Sequence, residues 1–224
     1  MEKEKLLEYG VKLIIIFMIL PIHEFAHAWT AHKMGDDTAF YKGRLTINPL
    51  AHIDIFGAVC LFLTGFGWAK PVPVNPLRFK KQRKGMAITA AAGPISNLIV
   101  ALIAMVIYRL LMTTDFYASS LTDYLYHDGN AFYLFFIIQY FILINIGLAI
   151  FNLIPIPPLD GSKILQYFTT YKFDAMVAQY QMYIYFGFLA LMLTGILSKP
   201  IVFLRDLLYD GMLFITNWIP ALLG

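Results

Sequence analysis

Pro21-Ile22-His23-Glu24-Phe25-Ala26-His27 sits in the middle to later half of a run, Val11 to Met34, that is otherwise fit to cross a membrane. Residues four apart share one helix face, so His23 and His27 can offer ring nitrogens to one metal ion, with Glu24 beside them as a base. Between Lys12 and Lys33 the only formal charge is Glu24, and the other three glutamates lie in the first eight residues. Burying a carboxylate at that depth costs roughly a few kcal/mol, which makes an ionisable group there functional by default, with a partner to be named. Zinc is that partner. Interhelical hydrogen bonding alone would explain neither the four-residue spacing nor the glutamate. Pro21 removes a backbone donor and is expected to bend the helix where the site begins.

Composition agrees with a membrane setting. Of 224 residues, 59% are hydrophobic and 14% charged, which exceeds what a soluble core requires. A net charge of +3 is too small to suggest nucleic acid, and the basic residues gather in short connecting segments. The single cysteine, Cys60, excludes an internal disulfide. Met1 to Lys12 has no small-residue cleavage site, so no removable signal peptide is expected there.

After Gly35 the chain turns polar, and Thr38 to Ile47 reads as two short strands about a Lys42-Gly43-Arg44 turn. His52 and Asp54 follow, better explained as a loop hydrogen-bond network than as a second metal site. Ile55 to Ala69 is apolar but short for a spanning helix, so it either spans or is re-entrant. Lys70-Pro71-Val72-Pro73-Val74-Asn75-Pro76 must be extended, because each proline disfavours helix at the residue before it. Lys80, Lys81, Arg83 and Lys84 then mark a cytoplasmic loop.

Met86 to Met112 reads as a spanning segment containing Gly93, Pro94 and Asn97. Residues 113–130 lack Lys and Arg, which fits the outer side, with His127 solvated. The uncharged run Ala131 to Leu159 ends in Asn152-Leu-Ile-Pro155-Ile-Pro157-Pro158-Leu-Asp160-Gly161. Three prolines unwind the helix end, and irregular backbone at membrane depth is tolerated where it lines an enclosed cavity. Asp160 emerges there as the candidate third zinc ligand, the alternative being an N-cap for a helix from about Ser162. Ala175 to Ser198 is a further uncharged span, and the tail from Ile201 either lies along the interface or covers the bundle.

Three motifs in this order resemble the site-2 protease family, peptidase family M50, of intramembrane zinc metalloproteases. They are His23-Glu24-x-x-His27, Gly93-Pro94-x-x-Asn97, and Asn152-x-x-Pro155 running to Asp160-Gly161. The resemblance is to compact bacterial or archaeal members without PDZ or CBS modules. It implies a three-helix catalytic core, and with the segments read above the chain is expected to be an all-α integral membrane bundle of about five to six membrane segments, with the small β-hairpin after the first helix. The whole of residues 1–224 is then one membrane-embedded metalloprotease domain, with a catalytic core at about 11–172 and accessory helices at about 173–224.

The implied chemistry is peptide hydrolysis with one zinc per chain on His23, His27 and Asp160, and Glu24 as general base. Asn97 and Asn152 match polar positions near the family's active site and are candidates for oxyanion stabilisation or substrate positioning. The expected partners are the lipid bilayer and a membrane protein with a single transmembrane segment, bound extended against Thr38 to Ile47 or Pro71 to Pro76. No nucleic acid is expected. The expected location is the cell membrane, as a multi-pass protein engaged in regulated intramembrane proteolysis. A metal transporter or sensor using the same His/His/Asp site is the alternative, although no repeat symmetry or chain of carboxylates is visible.

Overall fold

A computed structural model describes residues 9–11, 13–64, 67–114 and 130–223. The loop carrying His127 and most of Met1 to Lys12 lie outside the described residues. A π-helical turn, Ile15–Ile19, leads into α1, Leu20–Lys33. Pro21 sits in the first turn of α1 and offers no N–H to the preceding turn, while the Leu20 N–H bonds the Ile15 carbonyl five residues back. Gly35 ends α1 in a left-handed conformation, φ 100°. Its N–H bonds the His32 carbonyl at 3.0 Å, and the next N–H, that of Asp36, bonds Ala31 at 2.9 Å. This Schellman arrangement ties Asp36 rigidly to the helix.

The expected β-hairpin is replaced by a helical turn, α2, Thr38–Tyr41. The Asp36 carboxylate accepts the Thr38 N–H at 3.0 Å and also the Thr38 hydroxyl, which starts the turn. Gly43, φ 65°, closes it with a second Schellman pair, Gly43 to Phe40 and Arg44 to Ala39. Donors used within the turn are not free for a ladder, so no strand forms among the described residues.

Next come α3, Pro49–His52, and α4, Ile55–Thr64. Ten residues of helix reach only about 15 Å, half a hydrocarbon core. The chain then returns, since Ile53 and Ala69 form an antiparallel bridge and the Lys70 N–H bonds the His52 carbonyl at 2.8 Å. Both ends of this apolar segment meet, as a re-entrant element requires. His52 is buried and donates from Nε2 to the Thr46 carbonyl at 2.7 Å, inside the loop network.

Two long helices form the centre: α5, Gln82–Leu111, and α6, Asn130–Asn152. Ala101, Ala104 and Met105 of α5 pack on Ile142, Ile146 and Ile150 of α6. Alanines on one side and branched side chains on the other let the backbones approach closely. After α6 come α7, Asp160–Phe168, α8, Tyr171–Gln179, and α9, Gln181–Leu193. Arg83 at the start of α5 binds Asp174 at 2.7 Å and also bonds the Gln166 carbonyl, fastening α7 and α8 to the core. α10, Ser198–Ile215, lays Tyr209, Met212 and Leu213 against the α5/α6 core, so this part of the tail covers the bundle; α11, Trp218–Leu223, follows.

Among the described residues, Gln82–Leu111 and Leu134–Asn152 are long and apolar enough to cross a membrane. α8 and α9 together make a third candidate, bent by 70°. The five to six segments expected are therefore not confirmed among the described residues, where α1 has 14 residues and α4 only ten. Ala101 is fully buried in the central contact. Ala101→Leu is therefore expected to destabilise the protein by about 1–3 kcal/mol through overpacking, read as an earlier thermal transition in detergent.

Candidate metal centre and active site

His23 and His27 lie on the face of α1 that meets α5, and Asp160 is the first residue of α7. His23 Nε2 and His27 Nε2 are 3.0 Å apart, and Asp160 Oδ2 lies 3.2 Å from the first and 3.3 Å from the second. Atoms about 2.0–2.1 Å from a tetrahedral zinc stand about 3.3 Å from one another, so this triangle has the dimensions of a zinc site. They are the one group of His, Cys, Asp or Glu with metal-binding spacing among the described residues.

The outward ring nitrogens settle the proton positions. His27 Nδ1–H donates to the Thr89 carbonyl at 2.7 Å, and His23 Nδ1–H donates to Asn97 Oδ1 at 3.2 Å. In the neutral rings both Nε2 atoms are then bare lone pairs facing each other. Asp160 Oδ2 is buried with no hydrogen-bond donor. Three acceptors converging without a proton between them repel, and a cation reverses that repulsion. The donor set fits zinc.

Two glycines make room for this convergence. A methyl group on Gly93 would stand 2.4 Å from His27 Nε2 and 2.6 Å from His23 Cε1, so α5 can lean on both imidazoles only without a side chain there. A methyl group on Gly161 would stand 2.2 Å from the Leu153 carbonyl oxygen. The start of α7 is thus pressed onto the exit of α6. Between them the chain makes short turns, Ile156 N–H to Ile154 at 2.8 Å and Leu159 N–H to Ile156 at 2.9 Å. Leu159, not Asp160, is the N-cap of α7, and no side-chain cap bond forms there. The Asp160 carboxylate is free to face the histidines.

Glu24, Asn152, Asp160 and Lys163 line a cavity of about 760 Å3 together with both histidines. Glu24 Oε2 accepts the Val72 N–H at 2.9 Å. Sequence reasoning missed this contact, although the alternating prolines were its signal, since Val72 and Val74 retain donors where Pro71 and Pro73 have none. Asn152 reaches back to the Leu148 carbonyl at 3.0 Å while lining the cavity. Asn97 is 1% exposed and does not line it; it stands behind His23. The Thr89 carbonyl behind His27 carries no sequence signature, because a backbone oxygen is common to every residue.

The pattern of peptidase family M50 matches residues 11–195. This chain belongs to peptidase family M50. Two relatives carry the name "Putative zinc metalloprotease": YwhC of Bacillus subtilis (strain 168) and Rip2 of Mycolicibacterium smegmatis. YwhC is 40% identical over 182 residues, 81% of this chain and 80% of the relative. Rip2 is 27% identical over 165 residues, 70% of this chain and 58% of the relative. No solved structure matches. As a member of M50 the protein is a zinc metalloprotease in the membrane, and the triangle of His23, His27 and Asp160 is where its structure can hold a metal.

Gly93→Ala tests whether the close approach of α5 matters. The new methyl must push both imidazoles off their places, so zinc affinity is expected to fall by about 10- to 100-fold, measured by metal competition on purified protein.

Proposed function

We propose that the protein is an intramembrane endopeptidase that hydrolyses peptide bonds in the transmembrane segments of single-span membrane proteins, as a step of regulated intramembrane proteolysis. The observation that carries this reading is the convergence of three bare acceptors with Glu24 on one cavity in an apolar bundle. His23, His27 and Asp160 are the ligands of one zinc. Bound there, the metal supplies Lewis acidity, lowering the pKa of water and polarising a carbonyl. Glu24 takes a proton from the attacking water and delivers it to the leaving amine. The Val72 N–H holds Glu24 Oε2, which leaves Oε1 for that proton. Asn97 orients His23 from behind. Asn152, facing the cavity, is the remaining candidate for contact with the oxyanion or the substrate backbone.

A substrate helix must be unwound before its peptide bond can be reached, and an extended segment needs a partner for its backbone. Trp68, Ala69, Pro71, Val72 and Val74 form one wall of the cavity in an extended conformation. Thr38–Tyr41 forms a helical turn, so this wall, and not residues 38–47, is the stretch that pairs with a substrate backbone.

Orientation follows from register. His23 faces Asn97 and His27 faces Thr89, so α1 and α5 are antiparallel. With Lys80 to Lys84 cytoplasmic, α5 runs outward and α1 inward, and the multi-pass chain has its amino terminus outside. A cysteine placed at exposed Lys42 should react with a membrane-impermeant thiol reagent in inside-out vesicles and not in intact cells. Reaction in intact cells would reverse the assignment.

Glu24→Gln is expected to keep one zinc and lose cleavage of a model single-span substrate by about 100-fold or more. Asp160→Ala should lose both metal and cleavage. Full cleavage by Glu24→Gln would remove Glu24 as the base, whereas absence of cleavage by the unaltered protein, with metal handling kept in Glu24→Gln, would favour the transporter or sensor reading.

A further inference from the structure

Asp36 is fully buried and belongs to no site described above. Its carboxylate accepts the Thr38 N–H and hydroxyl through Oδ1, and through Oδ2 the Asn75 N–H at 2.6 Å. Arg78 Nε stands 3.9 Å from Oδ1, so the buried charge faces a cation and three donors. That satisfies the condition for keeping an ion in the interior.

The partner of Asp36 is the same extended strap, residues 69–75, whose Val72 N–H holds Glu24. Three of the six residues from Pro71 to Pro76 are prolines, so within that stretch the only backbone donors are those of Val72, Val74 and Asn75. Two of those three are taken by carboxylates from the helix unit that begins at α1. The Schellman turn at Gly35 makes Asp36 part of the same rigid body as Glu24. The other end of the strap is fixed by the Ile53–Ala69 bridge and by Lys70 N–H on the His52 carbonyl.

We propose that Asp36 is a positioning residue for catalysis: by holding Asn75 it fixes the strap so that the Val72 N–H orients the Glu24 carboxylate. It acts through the strap and touches no reacting atom. The inference rests on Glu24 being the general base. An extended strap has no internal hydrogen bonds to keep its own shape, so its anchors decide where the Val72 N–H points. The Glu24 carboxylate, on a side chain with three rotatable bonds, needs that donor to present one oxygen consistently.

The test removes the Asn75 donor with proline, which also draws φ at this position from −106° toward about −65°, so a fall in kcat supports the proposal only when Asp36→Asn, which leaves the strap backbone unsubstituted, shows it too. Asn75→Pro deletes the N–H within an already proline-rich extended run. Asn75→Ala is its control, since Asn75 Oδ1 also accepts the Leu77 N–H at 3.1 Å and both variants lose that bond. Relative to Asn75→Ala, Asn75→Pro should lower kcat by about 10- to 100-fold, the scale of one hydrogen bond to a charged group, with KM changed less than about twofold. Zinc content should stay at that of the control. Amide exchange should quicken at Val72 and Val74 and remain unchanged in α5 and α6, a readout independent of activity. Asp36→Asn, where it folds, should show the same split.

Equal kcat in Asn75→Pro and Asn75→Ala, or loss of zinc together with activity, overturns the proposal. Glu24→Gln is run alongside. If it remains active, the general-base assignment falls; if it is inactive while the two Asn75 variants match, only the role of Asp36 falls.

Discussion

Mutual repulsion among His23 Nε2, His27 Nε2 and Asp160 Oδ2 is the constraint on which the rest depends. Three acceptors within 3.3 Å of one another, with the ring protons directed outward, are stable only around a positive charge. In a bundle whose surroundings are hydrocarbon, that energy is not offset by water. The architecture can be read as a set of devices that keep the three atoms together: a carbonyl and an amide behind the histidines, and two glycines that let helices press inward. On the proposed assignment, zinc both completes the site and stabilises this arrangement of helices.

The membrane setting explains where two irregular stretches lie. Residues 153–159 and the strap at 69–75 both border the central cavity, where polar groups find partners within the protein. Elsewhere the apolar segments are helical, with all their backbone bonds made internally. Exposed side chains such as Leu102, Ile103 and Ile107 on α5 are lipid contacts in this setting and carry no sign of instability.

Proline serves two different purposes in this chain. After α6 it stops a helix so that Asp160 can begin a new one at another angle. In the strap it thins out the donors, and two of the three that remain between Pro71 and Pro76 are matched to Glu24 and Asp36. A polyalanine strap could follow the same path, but it would leave more N–H groups in need of partners beside an apolar cavity.

What the sequence singled out by itself was the trio that the structure brings together, His23, His27 and Asp160. A four-residue spacing puts His23 and His27 on one helix face whatever the fold, and Asp160 was conspicuous as the first charge after an uncharged run. Membrane residence was equally plain from composition. Local signals misled where two readings compete for one segment: Thr38 to Ile47 alternates like a hairpin, yet the buried Asp36 carboxylate captures Thr38 and begins a helical turn. Tertiary structure alone decided that Asn97 stands behind His23, that a Thr89 carbonyl holds His27, and that Val72 holds Glu24. These contacts join residues 48 to 74 positions apart, and two of them use backbone atoms that every residue carries. Periodicity reports the face a side chain occupies on its own helix; which distant backbone meets that face is set by how the helices pack.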